Sequence, residues 1–366
     1  MSRRKRILAA VLALATLALA SLAIAISHDS PCAPPSPLAS DVPRMKAIVA
    51  RCYGSPDILT FEDIAKPTPA DDELLVEVHA AAVNPLDWHS MRGKPYIMRL
   101  GDGFGLPSDT RMGVDFAGTV VAVGKQVTRF KPGDEVFGGR SGALAQYLTV
   151  RESRSVVLKP ANMSFEQAAA VPIAAVTALQ GLRDQGHLQP GQKVLINGAS
   201  GGVGTFAVQI ATATGADVTA VCGTANADLV RSLGAHHVID HTREDFTSGE
   251  RRYDLVLDNV ENHSLAACRR VLTPAGTLIL NSGTAGNGIK GMVRLAKPLL
   301  LSPMTRQNLR RYVAAPKSRE LADLTELIES GKVMPVIDRT YPLAETPAAL
   351  HHIETGHARG KVVITV

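Results

Sequence analysis

The feature that most constrains this chain is a turn with four glycines, NGASGGVGTF at residues 197–206. It follows KVLI at 193–196, which is typical of a short buried strand, and it opens Val203–Thr212, whose Ala, Val and Ile content is typical of a buried helix. Turns of this kind bind phosphate, because their backbone approaches an anion closely and the amides at the helix start point toward it. A dinucleotide diphosphate is therefore expected at the turn, held by Ser200, Gly201, Gly202, Val203 and Gly204.

Length and composition predict a globular protein of two domains. The chain has 366 residues, of which 45% are hydrophobic and 20% charged, and this is enough to bury two cores. Its net charge is +5, but the basic residues are scattered outside the N terminus, so nucleic-acid binding is not expected. The cysteines are far apart and form no CxxC pair, which predicts reduced thiols rather than a disulfide framework or a structural zinc site. They are Cys32, Cys52, Cys222 and Cys268.

The N terminus is a separate segment. Four basic residues precede an uncharged run at 7–27, close to the ~20 residues that a helix needs to cross a bilayer. The run is longer than the ~7–15 apolar residues of a signal peptide, which predicts a membrane anchor at residues 1–27 and membrane association through 7–26. Two alternatives stay open, an exported protein and a cytoplasmic enzyme translated from Met45. Residues 28–44 are rich in Pro and Ser and suit a flexible linker.

Two kinds of pattern follow the linker. From Met45, short β-type runs alternate with Gly and Pro turns, which favours a mostly antiparallel barrel or sandwich. From Ser164 the pattern changes, since Ser164 and Gln167 form a capping-box signal for a helix that runs to about Gln185, with a kink at Pro172. Strands and helices then alternate, as in parallel βαβ units. The sequence thus predicts an α/β fold, with a doubly wound parallel sheet and a mostly antiparallel β domain.

The choice of dinucleotide depends on the residues about 20 positions after the glycine turn, where the ribose is bound. An NAD site usually has Asp or Glu there, whereas this chain has CGTAN at 222–226. Because no carboxylate at this strand end would repel it, the 2′-phosphate of NADP(H) is compatible with residues 222–226. Thr224 and Asn226 are candidate hydrogen-bond donors to it, with Arg243 as a charge partner, so NADP(H) is the favoured cofactor. Cys222 is either a cofactor contact or an ordinary buried thiol.

The glycine turn and its strand and helix, KVLINGASGGVGTFAVQIA, resemble the signature of the quinone oxidoreductase and zeta-crystallin branch of the medium-chain dehydrogenase/reductase superfamily. The resemblance extends over nearly all of residues 45–366. Further motifs occur in the order of that branch: VNPLDWHSMRG, GVDFAGTVVAVG, KPGDEVFG, VCGTANADLVRSLGAHHVIDH and ARGKVVITV.

The resemblance implies a domain arrangement and an activity. A GroES-like catalytic domain would be formed by residues 45–168 together with a return of the chain at 335–366, and a Rossmann NADP-binding domain by 169–334. The active site would lie in the cleft between them. The implied activity is zinc-independent reduction of quinones or α,β-unsaturated carbonyl compounds by NADPH, in a homodimer. A non-catalytic NADP-binding scaffold and a zinc-free alcohol dehydrogenase stay open as alternatives.

No metal site is expected. Zinc alcohol dehydrogenases of the same superfamily have a Cys early in the first domain, a His-Glu pair after a Gly, and a lobe of four cysteines. Here the corresponding stretches are AVNPLD at 82–87 and GVDF at 113–116, and they supply neither thiolate nor imidazole. Zinc takes about four N or S ligands, so both zinc sites are rejected. His89 is expected to be a surface or hydrogen-bonded histidine.

Two residues are candidates for catalysis. Hydride addition to an enone or quinone gives an enolate or phenolate with delocalised charge, so hydrogen-bond donors and correct positioning suffice. Asn84 is the first candidate donor, although an asparagine before Pro85 also shapes turns. Related enoyl reductases have a tyrosine a short way past this asparagine, which makes Tyr96 a candidate proton donor or else a packed aromatic. Asp87 is interpreted as structural.

Other cofactor contacts follow from the expected fold and from the resemblance. The carboxyl ends of parallel strands line the crevice of such a sheet. A tail lysine commonly reaches the cofactor in this family, and otherwise it is a solvated charge at a strand edge. His241 stands where relatives often have a tyrosine beside the adenosine. Residues 288–313, basic and apolar, are a flap, a dimer edge or a second membrane contact. The further contacts are therefore Asn259, Asn281, Ser282, Gly283, His241 and Lys361.

Overall fold

A computed structural model of this chain describes residues 21–35, 37–281 and 296–366. Short helical segments at 21–27 and 296–301 carry no label below, and a π-helical turn spans Gln180–Gln185. The strands are β1 (Arg44–Ala50), β2 (Leu59–Ala65), β3 (Glu73–Val83), β4 (Asp115–Val123), β5 (Glu135–Gly139), β6 (Tyr147–Arg151), β7 (Val156–Leu158), β8 (Lys193–Asn197), β9 (Asp217–Cys222), β10 (His237–Asp240), β11 (Tyr253–Asp258), β12 (Leu272–Leu280), β13 (Asn308–Arg311), β14 (Ile337–Pro342) and β15 (Lys361–Thr365). The α-helices are α1 (Pro85–Arg92), α2 (Arg99–Asp102), α3 (Phe165–Ala169), α4 (Pro172–Leu179), α5 (Gly202–Ala213), α6 (Ala227–Ser232), α7 (Leu265–Arg270), α8 (Ser318–Glu329) and α9 (Thr346–Glu354).

The first half of the chain and the C-terminal tail share one mostly antiparallel sheet. Its order is β14-β15-β3-β4-β5-β7, with β6 also paired to β3. β15 runs antiparallel to β3, with Val362 opposite Val83, so the tail belongs to the same sheet as β3 to β7. β14 and β15 are parallel to each other. A separate antiparallel pair is formed by β1 and β2.

The second sheet is parallel and has the strand order β10-β9-β8-β11-β12-β13. Numbered from its own first strand, β8, this is the order 3-2-1-4-5-6 of a doubly wound dinucleotide-binding sheet. The order reverses between β8 and β11, and the glycine turn leaves the carboxyl end of β8. The predicted fold class is confirmed.

A continuous apolar core joins the two sheets. It contains Ala80 and Phe137 of the antiparallel sheet together with Val176 of α4 and Phe206 of α5. All four side chains are 2% exposed or less. The two halves are therefore packed against each other through α4 and α5.

The helix predicted from Ser164 is divided into shorter elements. The capping box is confirmed, since Ser164 Oγ accepts from the Gln167 backbone N–H at 3.2 Å and Gln167 Oε1 accepts from the Ser164 N–H at 3.0 Å. α3 ends before Pro172, which begins α4, because proline has no N–H to continue the ladder of the preceding turn. The predicted kink is thus a break between two helices.

Two predictions about the N-terminal part are wrong. Most of the predicted anchor at residues 7–26 lies outside the described residues, and the described helix at 21–27 is far shorter than the ~20 residues of a membrane span. Across the described ranges, no helix combines the length and apolarity needed to cross a bilayer, so the membrane-anchored localisation is not retained. The four cysteines are also not all reduced, because Cys32 and Cys52 form a disulfide.

The disulfide follows from the path of the segment before β1. Ala33 N donates to the carbonyl oxygen of Arg51 at 3.2 Å, so the segment runs back beside the end of β1. This brings Cys32 and Cys52 to a Cα–Cα distance of 4.5 Å although they are 20 residues apart. The spacing of the two cysteines in the sequence does not indicate that the segment runs back beside β1. Cys222 and Cys268 are free and buried.

Candidate active site

The glycine turn lies at the carboxyl end of β8, where the sheet order reverses. Gly198 has φ +75°, a left-handed conformation that favours glycine, and Gly201 caps the start of α5. A Cβ added to Gly204 would lie 2.1 Å from the carbonyl oxygen of Gly198, so only glycine lets the helix pack this closely on the turn. The predicted strand, glycine turn and helix are confirmed, and the start of α5 supplies the backbone amides that an anion needs.

Side-chain amides join the carboxyl ends of β8, β11 and β12. Asn197 Nδ2 donates to Asp258 Oδ1 at 2.8 Å, and Asn259 Nδ2 donates to the carbonyl oxygen of Asn197 at 3.1 Å. Asn281 Nδ2 in turn donates to Asn259 Oδ1 at 2.9 Å, which adds a third hydrogen bond to this row. The predicted contacts Asn259 and Asn281 therefore lie on one wall of the crevice. The other two predicted on these strand ends, Ser282 and Gly283, lie outside the described residues.

The turn after β9 contacts the glycine turn through Asn226. Asn226 Nδ2 donates to Ser200 Oγ at 3.2 Å, while Asn226 Oδ1 is buried and has no hydrogen-bond partner among the described residues. An unpaired buried oxygen is costly, so this atom fits a ligand hydroxyl that donates to it. Cys222 is buried at the end of β9, and burial raises the pKa of its thiol, as in an unreactive structural cysteine.

Three predicted residues of the ribose region lie around one unexpected carboxylate. Thr224 Oγ1 donates to Asp240 Oδ2 at 2.5 Å. The backbone N–H of His241 donates to the carbonyl oxygen of Cys222 at 3.0 Å. Arg243 has a side chain that is 80% exposed, with its Nε 3.9 Å from Asp240 Oδ2. Sequence reasoning missed Asp240 because it belongs to β10, the neighbouring strand.

Lys361 joins the tail strand to both halves of the cleft. Its side chain is 3% exposed, and Nζ donates to Asn84 Oδ1 at 2.5 Å and to the carbonyl oxygen of Val83 at 3.1 Å. A Cβ added to Gly202 would lie 3.1 Å from Lys361 Cδ, so the lysine stem runs along the glycine turn. The alternative of a solvated strand-edge charge is excluded by this burial.

Asn84 is held at both ends of its carboxamide. Its Nδ2 donates to Asp115 Oδ2 at 3.0 Å and to the carbonyl oxygen of Ala82 at 3.3 Å, while Oδ1 accepts from Lys361. The backbone N–H of Asn84 donates to Asp87 Oδ2 at 2.7 Å, at the start of α1. Both amide hydrogens are engaged by acceptors of the protein. In this arrangement Asn84 organises Lys361 and Asp115 rather than offering a hydrogen to a substrate.

Burial shapes the charges of this cluster. Burial is the main cause that raises the pKa of Asp87 to about 7, opposed by the hydrogen bond from the Asn84 backbone. It also raises the pKa of Asp115 and lowers that of Lys361, while the attraction between the two groups, whose Oδ2 and Nζ are 3.5 Å apart, opposes both shifts. Asp115 Oδ1 accepts from the N–H of Ile173 at the start of α4 at 3.0 Å. The cluster thus also contacts the α/β half.

Tyr96 has a different set of contacts. Its ring centroid lies 4.9 Å from the guanidinium carbon of Arg99, which also faces Tyr53 at 4.1 Å. Arg99 is fully buried and pairs with Asp29 at 2.6 Å. It also donates to the carbonyl oxygens of Ile26 and His28 at 3.1 and 3.0 Å. Sequence reasoning missed this arginine, which holds the segment before β1 against the residues around Tyr96.

Besides Arg99, sequence reasoning missed or undervalued three acidic residues, Asp115, Asp258 and Asp240. Asp115 and Asp258 are fully buried, and each lies at the end of a strand. In the sequence, this position beside an apolar run is the only indication that they belong to the site. Asp115 was considered only as a position without a zinc ligand. Each binds a side-chain amide, Asn84 for Asp115 and Asn197 for Asp258.

Together, these features define a class of protein. A parallel sheet of order 3-2-1-4-5-6 has a glycine turn at its switch point, and an antiparallel sheet brings a buried polar cluster against that turn. This is the architecture of a two-domain oxidoreductase that uses a nicotinamide dinucleotide.

Comparison with known proteins gives the family. The alcohol dehydrogenase GroES-like domain matches residues 70–161 and the zinc-binding dehydrogenase family matches 233–364. The 2-methylene-furan-3-one reductase of Solanum lycopersicum is 35% identical over 336 residues, covering 88% of this chain and 79% of that protein. The chloroplastic NADPH-dependent alkenal/one oxidoreductase of Arabidopsis thaliana is 34% identical over 341 residues, covering 89% and 81%. The solved quinone oxidoreductase of Coxiella burnetii has a TM-score of 0.76 at 30% identity, covering 88% of this chain and all of that one.

The chain therefore belongs to the quinone oxidoreductase branch of the medium-chain dehydrogenase/reductase superfamily, and it is an oxidoreductase that depends on a nicotinamide cofactor. One matching family is named for zinc, and the stretches that would correspond to its zinc site are residues 82–87 and 113–116. Of the groups there, an ammonium and an amide are not zinc ligands, and the two carboxylates, Asp87 and Asp115, accept hydrogen bonds from Asn84, with the Lys361 ammonium 3.5 Å from Asp115. These residues do not fit a catalytic zinc. His89 hydrogen-bonds through Nδ1 to the carbonyl oxygen of Lys94 at 2.7 Å.

Proposed function

We propose that this protein reduces quinones or α,β-unsaturated carbonyl compounds with NADPH. The observation that supports this most directly is the hydrogen bond of 2.9 Å from the Gly360 N–H to the carbonyl oxygen of Ser200. It joins the expected diphosphate turn to the strand of Lys361, whose side chain belongs to the Asn84 and Asp115 cluster of the other half. The names of relatives with 34–35% identity, an alkenal/one oxidoreductase and a furanone reductase, support the same substrate class.

The described residues fit a dinucleotide. The turn from Gly198 to Gly204 and the start of α5 would hold the diphosphate, because they combine close backbone approach with oriented amides. Asn226 Oδ1, buried and without a partner among the described residues, would accept from a ribose hydroxyl. When bound, the cofactor supplies a hydride.

The protein's part in the reaction is positioning and electrostatics. The buried cluster of Lys361, Asn84 and Asp115 fixes the tail strand against the glycine turn and places a buried ion pair at the junction of the two halves. A reduced enone or quinone carries its charge on oxygen, and dipoles that the protein holds in fixed positions favour that charge. Tyr96 stays our candidate for the proton that completes the reduction.

A homodimer is part of the proposal. Among the described residues β13 is the outer strand of the parallel sheet, and the backbone groups of an outer strand pair readily with another strand. Leu299, Leu300 and Met304, just before it, are 55%, 70% and 78% exposed. Two copies joined along this edge would cover the outer strand and these exposed apolar side chains. Light scattering of the purified protein tests this, and a monomer at assay concentration contradicts it.

A second candidate is a dinucleotide-binding protein without catalysis. It is favoured by one observation, the engagement of both Asn84 amide hydrogens by Asp115 and Ala82, which leaves this side chain occupied within the protein. Binding without turnover would then be the activity of the chain.

The test has two parts. Calorimetric titration with NADPH and NADH measures binding, and loss of reduced-nicotinamide absorbance with a panel of quinones and enones measures turnover. Gly204→Ala should abolish binding because its Cβ would meet a backbone oxygen at 2.1 Å, whereas Gly249→Ala, whose nearest atom is 4.0 Å away, should not. Binding without oxidation of NADPH by any member of the panel would favour the second candidate. No binding of either dinucleotide would refute both.

A further inference from the structure

The carboxyl ends of β9 and β10 bring a carboxylate to the predicted ribose region. Asp240 is opposite Cys222 in the parallel register, and Thr224 follows two residues after Cys222. The same turn reaches the glycine turn at its other end, where Asn226 Nδ2 donates to Ser200 Oγ at 3.2 Å. Asp240 and the diphosphate turn therefore lie on one wall of the crevice.

Asp240 is held by two threonines, and this determines what they can offer a ligand. Thr224 Oγ1 donates to Oδ2 at 2.5 Å, and Thr242 Oγ1 donates to Oδ1 at 2.7 Å. The backbone N–H of Thr242 also donates to Oδ1, at 3.0 Å. A hydroxyl has a single hydrogen, so both threonines have committed theirs to the carboxylate. The two threonine hydroxyls and the carboxylate therefore present acceptors to a ribose.

The carboxylate is ionised at neutral pH. Its hydrogen bond from Thr224 is the largest cause that lowers the pKa of Asp240 to about 2. The cation beside it, Arg243, is 3.9 Å away through Nε and has an 80% exposed side chain. A pair this exposed is screened by solvent, so Arg243 neutralises Asp240 only in part.

We propose that Asp240 is a specificity-determining residue for the dinucleotide, with its fixed carboxylate accepting from the 2′-hydroxyl of NADH and opposing the 2′-phosphate of NADPH. Acceptors and negative charge favour a hydroxyl and disfavour a phosphate dianion. The exposed Arg243 guanidinium acts in the opposite direction, so the chain binds both dinucleotides with a muted preference. This inference rests on the proposed function, since it requires that the crevice bind a nicotinamide dinucleotide.

The experiment compares dissociation constants for NADPH and NADH in three full-length proteins. They are the wild type, Asp240→Asn, and the control Asp245→Asn. Asp245 accepts from the N–H and the hydroxyl of Thr247, both at 2.8 Å, and thus matches the local geometry of Asp240 with Thr242. Asp240→Asn should raise the affinity for NADPH relative to NADH by about tenfold, the order expected when one nearby like charge is removed. Asp245→Asn should leave this ratio unchanged.

Two further variants keep the test decisive. Asp240→Ser is smaller and also uncharged, and it should shift the ratio in the same direction if Asp240→Asn does not fold. Asp240→Glu keeps the charge and should retain the wild-type preference. If the neutral variants bind both dinucleotides with an unchanged ratio of the two dissociation constants, the role assigned to Asp240 is overturned. The proposed function is not affected by that result. Failure of the wild type to bind either dinucleotide would overturn the proposed function as well.

Discussion

Lys361 Nζ donates a hydrogen bond of 2.5 Å to Oδ1 of Asn84, a residue 277 positions earlier in the chain. The contact links the last strand to the start of α1, and the same Asn84 carboxamide binds Asp115 through its other end. Three residues from distant parts of the sequence therefore form one buried unit. Within it, the charges of Lys361 and Asp115 stabilise each other.

Lys361→Met should destabilise the protein strongly. The methionine fills the volume of the stem but leaves the fully buried Asp115 without its counter-charge, and breaking such a pair costs about 3–5 kcal/mol. Denaturant unfolding monitored by circular dichroism measures this. Lys125→Met, which removes a pair with Asp71 whose lysine side chain is 76% exposed, should cost less than about 1 kcal/mol.

A double variant separates the pair from the individual groups. Asp115→Asn combined with Lys361→Met removes both charges, so it should lose less stability than the sum of the two single variants. Additive losses would mean that the two charges do not interact in the folded protein.

The elements that were predicted correctly are those with local signals. The glycine turn at 198–204 and the capping box at Ser164 are recognised from adjacent residues, because their geometry needs particular residue types at short spacing. The change from β-type runs to alternating strands and helices gave the fold class for the same reason. Strand β13 lies within residues 288–313, for which the sequence predicts no strand, because NLRR has a single buried side chain, Leu309, and no apolar run.

The site residues that were missed depend on long-range geometry. Asp240 reaches Thr224 only because β10 lies beside β9, and no sequence spacing states which strands are neighbours. Cys32 and Cys52 pair because the chain doubles back on β1. Lys361 was expected near the cofactor from the resemblance, but its burial against Asn84 follows from the pairing of β15 with β3.

Asn84→Ala should lower turnover more than it weakens dinucleotide binding. The alanine removes the carboxamide that fixes Lys361 and Asp115, and small misplacements at an active site reduce rates by about tenfold to a hundredfold. The dissociation constant of NADPH should change by less than about threefold, since Asn84 does not belong to the glycine turn. Steady-state kinetics and calorimetry give the two quantities. Equal losses in both would assign Asn84 to cofactor binding or to folding.

A matched control exists for this substitution. Asn162 donates through Nδ2 to the carbonyl oxygen of Ile328 at 3.1 Å, in a part of the chain that our proposal leaves out of the site. Asn162→Ala should alter stability without changing turnover per folded molecule.

Removal of the disulfide should destabilise the protein by about 2–4 kcal/mol, the usual range for a bridge that closes a short loop. Cys32→Ser with Cys52→Ser deletes the bridge, and reduction of the wild type with dithiothreitol should give the same loss. The loss is measured by denaturant unfolding. An unchanged unfolding free energy in both cases would mean that the contacts of Arg99 with residues 26–29 already hold this segment in place.

Asp87 should make stability fall as the pH rises toward neutrality. Its pKa is raised in the folded protein from an ordinary 3.8 to about 7, so between these values the folded state binds a proton that the unfolded state has lost. The contribution is fully present below about pH 4 and is lost as the pH rises through about 7, with a slope of at most about 1.4 kcal/mol per pH unit for one proton. Asp87→Asn keeps the shape and cannot titrate. The difference in unfolding free energy between wild type and this variant should therefore decline across that window, and a difference independent of pH would show that Asp87 is ionised in the folded protein throughout.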